Sequence, residues 1–221
     1  MFNLPAPVGF RGLDPDLPIQ IYNRHLPHWR QDGATYFVTF RLADSIPQEH
    51  LHALKRWRII WEQQHPEPRS EQQWKEFAQE ITSKTERWLD EGCGDCVLGG
   101  SFATQLMSKA LLKFQDTRYL TSSFVVMPNH VHLLMKPLPG YKLETLLQGI
   151  KAKVSKEINQ RHGRSGSIWE EERHDRIVRD DEHLWQCLQY IGSNPSKASL
   201  PTGRYLLWLH PEWEAAGWRY Q

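Results

Sequence analysis

Cysteine is scarce in this chain of 221 residues: Cys93, Cys96 and Cys187 are the only three. So sparse and odd a set argues against a disulfide framework, and leaves the fold to rest on packing. No apolar run approaches the roughly 20 residues of a membrane span. The opening MFNLPAPVGFRGLDPDLPIQ lacks the basic-then-apolar layout of a signal peptide. These absences set the expectation of a cytoplasmic protein with no membrane partner. There is no internal repeat and no low-complexity tract. A strong excess of one charge is missing too, since the formal net charge is +1.

That neutral total hides an uneven distribution. Between Glu62 and Glu91, eight acids (Glu62, Glu67, Glu71, Glu76, Glu80, Glu86, Asp90, Glu91) face four bases (Arg69, Lys75, Lys84, Arg87). Between Lys142 and Arg164, six bases (Lys142, Lys151, Lys153, Lys156, Arg161, Arg164) face two acids (Glu144, Glu157). One acidic region masks one basic region. On charge alone the basic segment reads as a solvated helix face. Ten tryptophans and a substantial apolar fraction indicate a folded globular chain.

Residues 1–33 hold several prolines and little periodicity, and read as an extended arm packed through Phe2, Phe10, Tyr22 and Trp29, or as partly disordered. The run ATYFVTFRLAD, 34–44, is dense in aromatic and β-branched residues and reads as a strand. A helix follows with Pro47 at its first turn and a stripe of Leu51, Leu54, Trp57 or Arg58, and Trp61. The acidic stretch of about 70–91 reads as a second helix, broken by EGCGDC. GSFATQLMSKALLKFQDTRY reads as an amphipathic helix capped by Ser101. LTSSFVVMPNHVHLLMK gives two strands joined at MPN, or one strand broken at Pro128. The basic helix 142–161 ends at RHGRSGS, and DRIVRD, 175–180, reads as a short strand or edge segment. DDEHLWQCLQYIGSN reads as a helix terminated by Pro195. The aromatic tail LLWLHPEWEAAGWRYQ packs back on the domain. This order predicts an α+β fold, a sheet covered by helices on one side. Its parts are an arm (1–33), a main domain (34–200) with an acidic helical insertion at about 62–91, and a tail (201–221).

The chemistry concentrates in MPNHVHLLMK, 127–136. On a strand, residues i and i+2 share a face, so His130 and His132 stand about 7 Å apart at their Cα atoms. They read equally as ligands converging on one metal ion or as partly buried polar residues bonded to the backbone. Cys93-x-x-Cys96 is half of a zinc knuckle whose other half is missing, and reads as a turn into Val97 and Leu98. His162 and His174, near the basic helix, are further candidate ligands, although exposed histidines are commoner than bound ones. Tyr190 and Asn194 lie four apart on one helix and share a face. If that face covers the histidines, Asn194 offers an oxygen ligand and Tyr190 a phenol oxygen to whatever the metal holds. A metal-polarised phosphate is the kind of electrophile a phenol, with its pKa near 10, can attack.

TYFVTFRLADSIP, MPNHVHLLMKP, LLQGIKAKVSKEINQRHGRSGSIWEEERHDRIVRDDEHL and YIGSNPSKA occur in the order and spacing of the REP-associated tyrosine transposases, which the chain resembles over roughly residues 24–200. These are relatives of the insertion-sequence transposases that use a single tyrosine and an HUH motif. The resemblance implies a ferredoxin-like antiparallel sheet with covering helices and His130, His132 and Asn194 as ligands of Mg²⁺ or Mn²⁺. It also implies Tyr190 as the residue that forms a covalent 5′-phosphotyrosine with single-stranded DNA. The substrates it implies are imperfect palindromes folded into hairpins, and the working form a monomer or a homodimer. Lys151, Lys153, Lys156, Arg161 and Arg164 then become candidate phosphate contacts. Gly192 and Ser193 depart from the family pattern, which usually has bulkier residues there, and Ser196 stands where valine is common. Two other readings compete: a non-catalytic nucleic-acid-binding module whose TYFVTF strand stacks bases, and a metal-dependent hydrolase of a small molecule, for which the helical second half is a poor match to a barrel.

Overall fold

The computed structural model describes residues 4–23 and 27–221. Two short strands, β1 (Gln20–Asn23) and β2 (Pro27–Arg30), pair antiparallel within the segment expected to be an extended, packed or partly disordered arm. Phe10 packs against the core, but Trp29 is exposed, so the hairpin is not anchored by that ring. Phe2 and the Tyr22 side chain lie outside what is described. A buried ion cluster holds the hairpin instead. The fully buried Asp175 carboxylate accepts from His28 Nδ1 at 2.8 Å, pairs with Arg30, and lies 3.1 Å from Arg173 Nε. Arg30 also donates to Glu144 at 2.6 Å.

The aromatic run forms β3 (Tyr36–Arg41). Two helices follow, α1 (Gln48–Gln64) and α2 (Glu71–Asp90). A capping box starts α2, with Ser70 accepting from the Gln73 amide while the Gln73 side chain accepts from the Ser70 amide. The stripe expected on α1 is the one that packs: Leu51 and Leu54 meet Ile46, Trp88 and Leu89, while Trp57 stacks on Phe77 of α2 and Trp61 meets the same ring at a tilt. The two cysteines sit in the expected turn, which leads into a single 3₁₀ turn, Val97–Gly99. Helix α3 (Ser101–Leu112) is capped by Gly100 rather than Ser101, whose side chain makes no cap bond.

Strands β4 (Tyr119–Val126) and β5 (His130–Pro137) are joined by the three residues MPN, as the position of Pro128 suggests. Next come α4 (Leu143–His162), stopped by Gly163 in the left-handed conformation at φ 62°, and β6 (His174–Ile177). Helix α5 (Asp181–Lys197) starts at Asp180, whose carboxylate accepts from the His183 amide at 2.7 Å. Pro195 does not end α5. Asn194 and Pro195 are buried, and Ala198 donates to the Asn194 carbonyl, so packing carries the helix one more turn despite the missing proline N–H. The tail supplies β7 (Leu206–Leu209) and a short α6 (Pro211–Ala215).

Five strands form one antiparallel sheet in the order β6-β3-β5-β4-β7. Without its last edge, the path β3-α3-β4-β5-α4-β6 is the βαββαβ ferredoxin-like topology. Helices cover both faces, not one. Val131, Leu133 and Met135 of β5 pack with Met107 of α3 and Ile150 of α4. Leu134, with Phe37 and Val125, packs on the other face with Leu184, Leu188 and Ile191 of α5 and with Trp213 and Trp218 of the tail. The period-2 alternation of β5 therefore turns His130 and His132 toward α5. Gly192 marks where the tail docks: a Cβ there would lie 2.6 Å from the Tyr220 ring, whose hydroxyl meets Ser123 at 2.9 Å and donates to the Trp208 carbonyl at 2.8 Å.

Candidate active site

Strand register sets the floor of the site. His132 lies opposite Thr39 and His130 opposite Arg41. Both imidazoles are buried, each 1% exposed. Their Nε2 atoms face each other at 3.0 Å. Asn129 fixes one tautomer. Its Nδ2 donates to the Leu89 carbonyl at 3.1 Å, so its Oδ1, 2.8 Å from His130 Nδ1, accepts from that ring. His130 Nε2 is then left with a lone pair. His132 Nδ1 meets the Thr39 hydroxyl at 2.7 Å, a group that can donate or accept. Rotating that hydroxyl lets His132 either donate to its neighbour from Nε2 or present a second lone pair beside the first. Burial lowers the pKa of His130 to about 4, against the effect of nearby Asn194. Burial, the His130 ring and the charges of Arg176 and Lys197 lower that of His132 well below the usual range. Both rings are neutral at pH 7, the form in which imidazole binds metal.

Helix α5 forms the roof. The Tyr190 ring lies edge-on to the His132 ring at 5.0 Å and to Phe37 at 5.8 Å, while Phe37 stacks on His132 at 5.7 Å. Lys197 Nζ stands 4.6 Å from the Tyr190 ring centroid. One turn along α5, Asn194 is 1% exposed, close to both the Tyr190 phenol and the His130 ring. Its Oδ1 is buried without a hydrogen-bond partner of normal geometry. An orphan acceptor costs about 1–3 kcal/mol, and this one sits near the His130 ring. Burial, the charge of Glu86 and a hydrogen bond to that carboxyl push the Tyr190 phenol far above its ordinary pKa, against a hydrogen bond from Asn194. Glu86 itself, on α2, is pushed up by burial, against the Tyr190 contact and the charges of Arg176 and Lys197.

The donors suit a divalent cation. Their 3.0 Å nitrogen separation matches two adjacent corners of an octahedron with bonds of about 2.1 Å, and the orphan Asn194 oxygen is a third candidate. Among the described residues no cluster of three His, Cys, Asp or Glu side chains could hold a metal, so this mixed nitrogen and amide set stands apart from a zinc knuckle. The free cysteines Cys93 and Cys96 lie in their turn, where Cys96 Sγ donates to backbone carbonyls. His162 is exposed at the end of α4, and His174 lies on β6 opposite Thr39, lining a cleft.

The structure brings together Tyr190, His130, His132 and Asn194. The basic residues of α4 lie elsewhere and divide into groups. Lys151 donates to the Glu170 carbonyl at 2.7 Å and is part of the fold. Lys153, Lys156 and Arg161 line a shallow surface hollow with Phe102, whose ring lies 4.5 Å beneath the Arg161 guanidinium. Lys153 also pairs with Glu157, and Arg164 pairs with Asp95. Sequence reasoning did not find Thr39, Asn129 or Glu86. The first could have been read from strand register. Asn129 was visible only as part of a turn, and nothing in the sequence marks Glu86 among eight acids.

Among the described residues no helix is long and apolar enough to cross a membrane. Residues 97–194 match the family model described as transposase, IS200-like, a span that holds both histidines, Tyr190 and Asn194. No curated protein matches the chain. A solved structure described as a REP-associated tyrosine transposase bound to a REP hairpin is similar at 17% identity, over 80% of this chain and 72% of that one, with a TM-score of 0.45.

Proposed function

We propose that the protein, whose residues 97–194 match the IS200-like transposase family model, cuts and rejoins single-stranded DNA hairpins through a phosphotyrosine formed on Tyr190. One observation carries this reading: the Tyr190 ring, two facing imidazole nitrogens and an orphan amide oxygen lie together in one buried cluster.

His130, His132 and Asn194 would hold the cation. Imidazole nitrogens accept Mn²⁺, and the amide oxygen and phosphate oxygens suit both Mn²⁺ and Mg²⁺. When bound, such an ion neutralises charge developing on the scissile phosphate. The remaining work belongs to the chain. Asn129 sets the His130 tautomer, and the Thr39 hydroxyl, by accepting from His132 Nδ1, leaves the second Nε2 lone pair free for the ion. Helix α5 holds the phenol oxygen toward the space a phosphate would occupy, a matter of positioning. Glu86, in contact with that phenol, accepts its proton as the oxygen attacks phosphorus. The P–O3′ bond breaks, the departing 3′-oxygen takes a proton from solvent to become a hydroxyl, and the DNA 5′-phosphate stays on Tyr190. Attack by another 3′-hydroxyl on the phosphotyrosine reseals the strand and frees the phenol. Lys197 beside the ring adds positive charge where the phosphate enters.

The test incubates the protein with a labelled hairpin carrying unpaired flanks, with Mn²⁺. The wild type should cleave it and leave the same sequence intact as a full duplex, whose stacked bases oppose the approach of the phosphate. His130→Ala and His132→Ala should each abolish cleavage while hairpin affinity stays within about threefold, because the phosphate contacts that dominate affinity lie on other residues. Full activity in excess chelator, or equal cutting of duplex and hairpin, would overturn the reading.

A further inference from the structure

The α1–α2 hairpin lies outside the residues that match the transposase family, yet α2 builds one wall of a cleft adjoining the candidate site. The cleft encloses about 470 Å³ between α2 and the β6 edge, within the range of small-ligand pockets. Phe37 and Glu86 belong both to its lining and to the surroundings of Tyr190, so it lies next to the candidate nucleophile. From α2 come Lys75, Gln79, Thr82 and Glu86, spaced at three or four residues and so on one helix face. A polar face of this kind ordinarily looks into open water. Here it looks across a cleft at Arg176 and Arg179. The lining cation Arg173 is already paired with Asp175 and Glu144, so the positive charge offered to a ligand is that of Lys75, Arg176 and Arg179. Two arginines on one side, and amide and hydroxyl side chains beside Lys75 on the other, fit a phosphate joined to a nucleobase, since glutamine and threonine side chains are types that bond base edges.

We propose that this cleft binds the unpaired nucleotide adjoining the scissile phosphate, with its phosphate against Arg176 and Arg179 and its base edge against Gln79 and Thr82. The inference rests on the tyrosine-transposase reading and gives the acidic insertion a role, with α2 restricting which strand reaches Tyr190.

The test uses the full chain with an octathymidylate carrying 4-thiothymidine. Irradiation followed by peptide mass spectrometry should place cross-links on α2 and β6. Ala78→Trp, at an exposed cleft position on α2, fills the space and should weaken octamer binding roughly tenfold, the scale of losing one base contact. The surface pair Arg176→Gln with Arg179→Gln provides a second variant and should read the same loss. Cross-links confined to α4, or wild-type affinity in both variants, would overturn the proposal. A parallel incubation with the cleavable hairpin and Mn²⁺ reads the Tyr190 adduct: an adduct there without α2 cross-links from the octamer would overturn the cleft proposal alone and leave the transposase reading standing. Cross-links on α2 with no adduct from the hairpin would support the cleft as a strand site and overturn the phosphotyrosine chemistry.

Discussion

Replacing Asp175 by asparagine should make the stability of this protein less sensitive to acid, by an amount the structure sets. The Asp175 side chain is fully buried. Burial raises its pKa, but hydrogen bonds from His28 and Arg30 and their charges outweigh burial and hold it at about 2, against an ordinary 3.8. That difference corresponds to about 2 kcal/mol of folding free energy. The sign follows from the depressed value: the contribution is whole above the unfolded-state pKa near 4 and is lost as pH falls through about 2. Asparagine has no such titration and leaves Arg30 and Arg173 without their buried anion, at a cost of about 3–5 kcal/mol near neutrality. Urea unfolding of both proteins at pH 6, 5, 4, 3 and 2 measures the gap between them. It should stay constant from pH 6 to about 5 and narrow by about 2 kcal/mol by pH 2. Most other carboxylates titrate alike in the two proteins and cancel. A gap unchanged across that range would refute the cluster as the anchor of the β1–β2 hairpin.

Neutralising Lys153, Lys156 and Arg161 together to glutamine should flatten the dependence of hairpin affinity on salt, lowering the log–log slope by about 2–3. An unchanged slope in a titration at several salt concentrations would show that α4 is only a solvated face. Gly192→Ala should destabilise by about 1–3 kcal/mol, because its Cβ would meet the Tyr220 ring at 2.6 Å. Adding Tyr220→Ala should relieve the clash, which a double-mutant cycle by thermal unfolding will show. Asn194→Ala should slow hairpin cleavage less than His130→Ala, since water can replace a neutral oxygen ligand more readily than an imidazole.

Local signals that agree with tertiary context were legible. The aromatic strand, the MPN turn, the α1 stripe and the helix over the acidic stretch all follow from period and turn chemistry. The histidine pair and the Tyr190, Asn194 pair were readable because each sits at the period of its own element. What failed depended on distant partners. Pro195 stays helical because its surroundings are buried, and Gly100 displaces Ser101 as cap. The β1–β2 hairpin is held by Asp175, far away in sequence, so no local pattern announced it. Glu86 reaches Tyr190 only because the α1–α2 hairpin folds over the site, and the sequence carries no register for that packing. The gap at Gly192 makes sense only with Tyr220 beside it.

The central claim is that Tyr190 becomes covalently joined to DNA. Wild-type protein incubated with cleavable hairpin and Mn²⁺ can be denatured, digested with protease and nuclease, and analysed by mass spectrometry. The peptide containing Tyr190 should carry a 5′-phosphonucleotide, and Tyr190→Phe should yield no adduct while still binding the hairpin. An adduct on another residue, or an undiminished adduct in Tyr190→Phe, would contradict the claim.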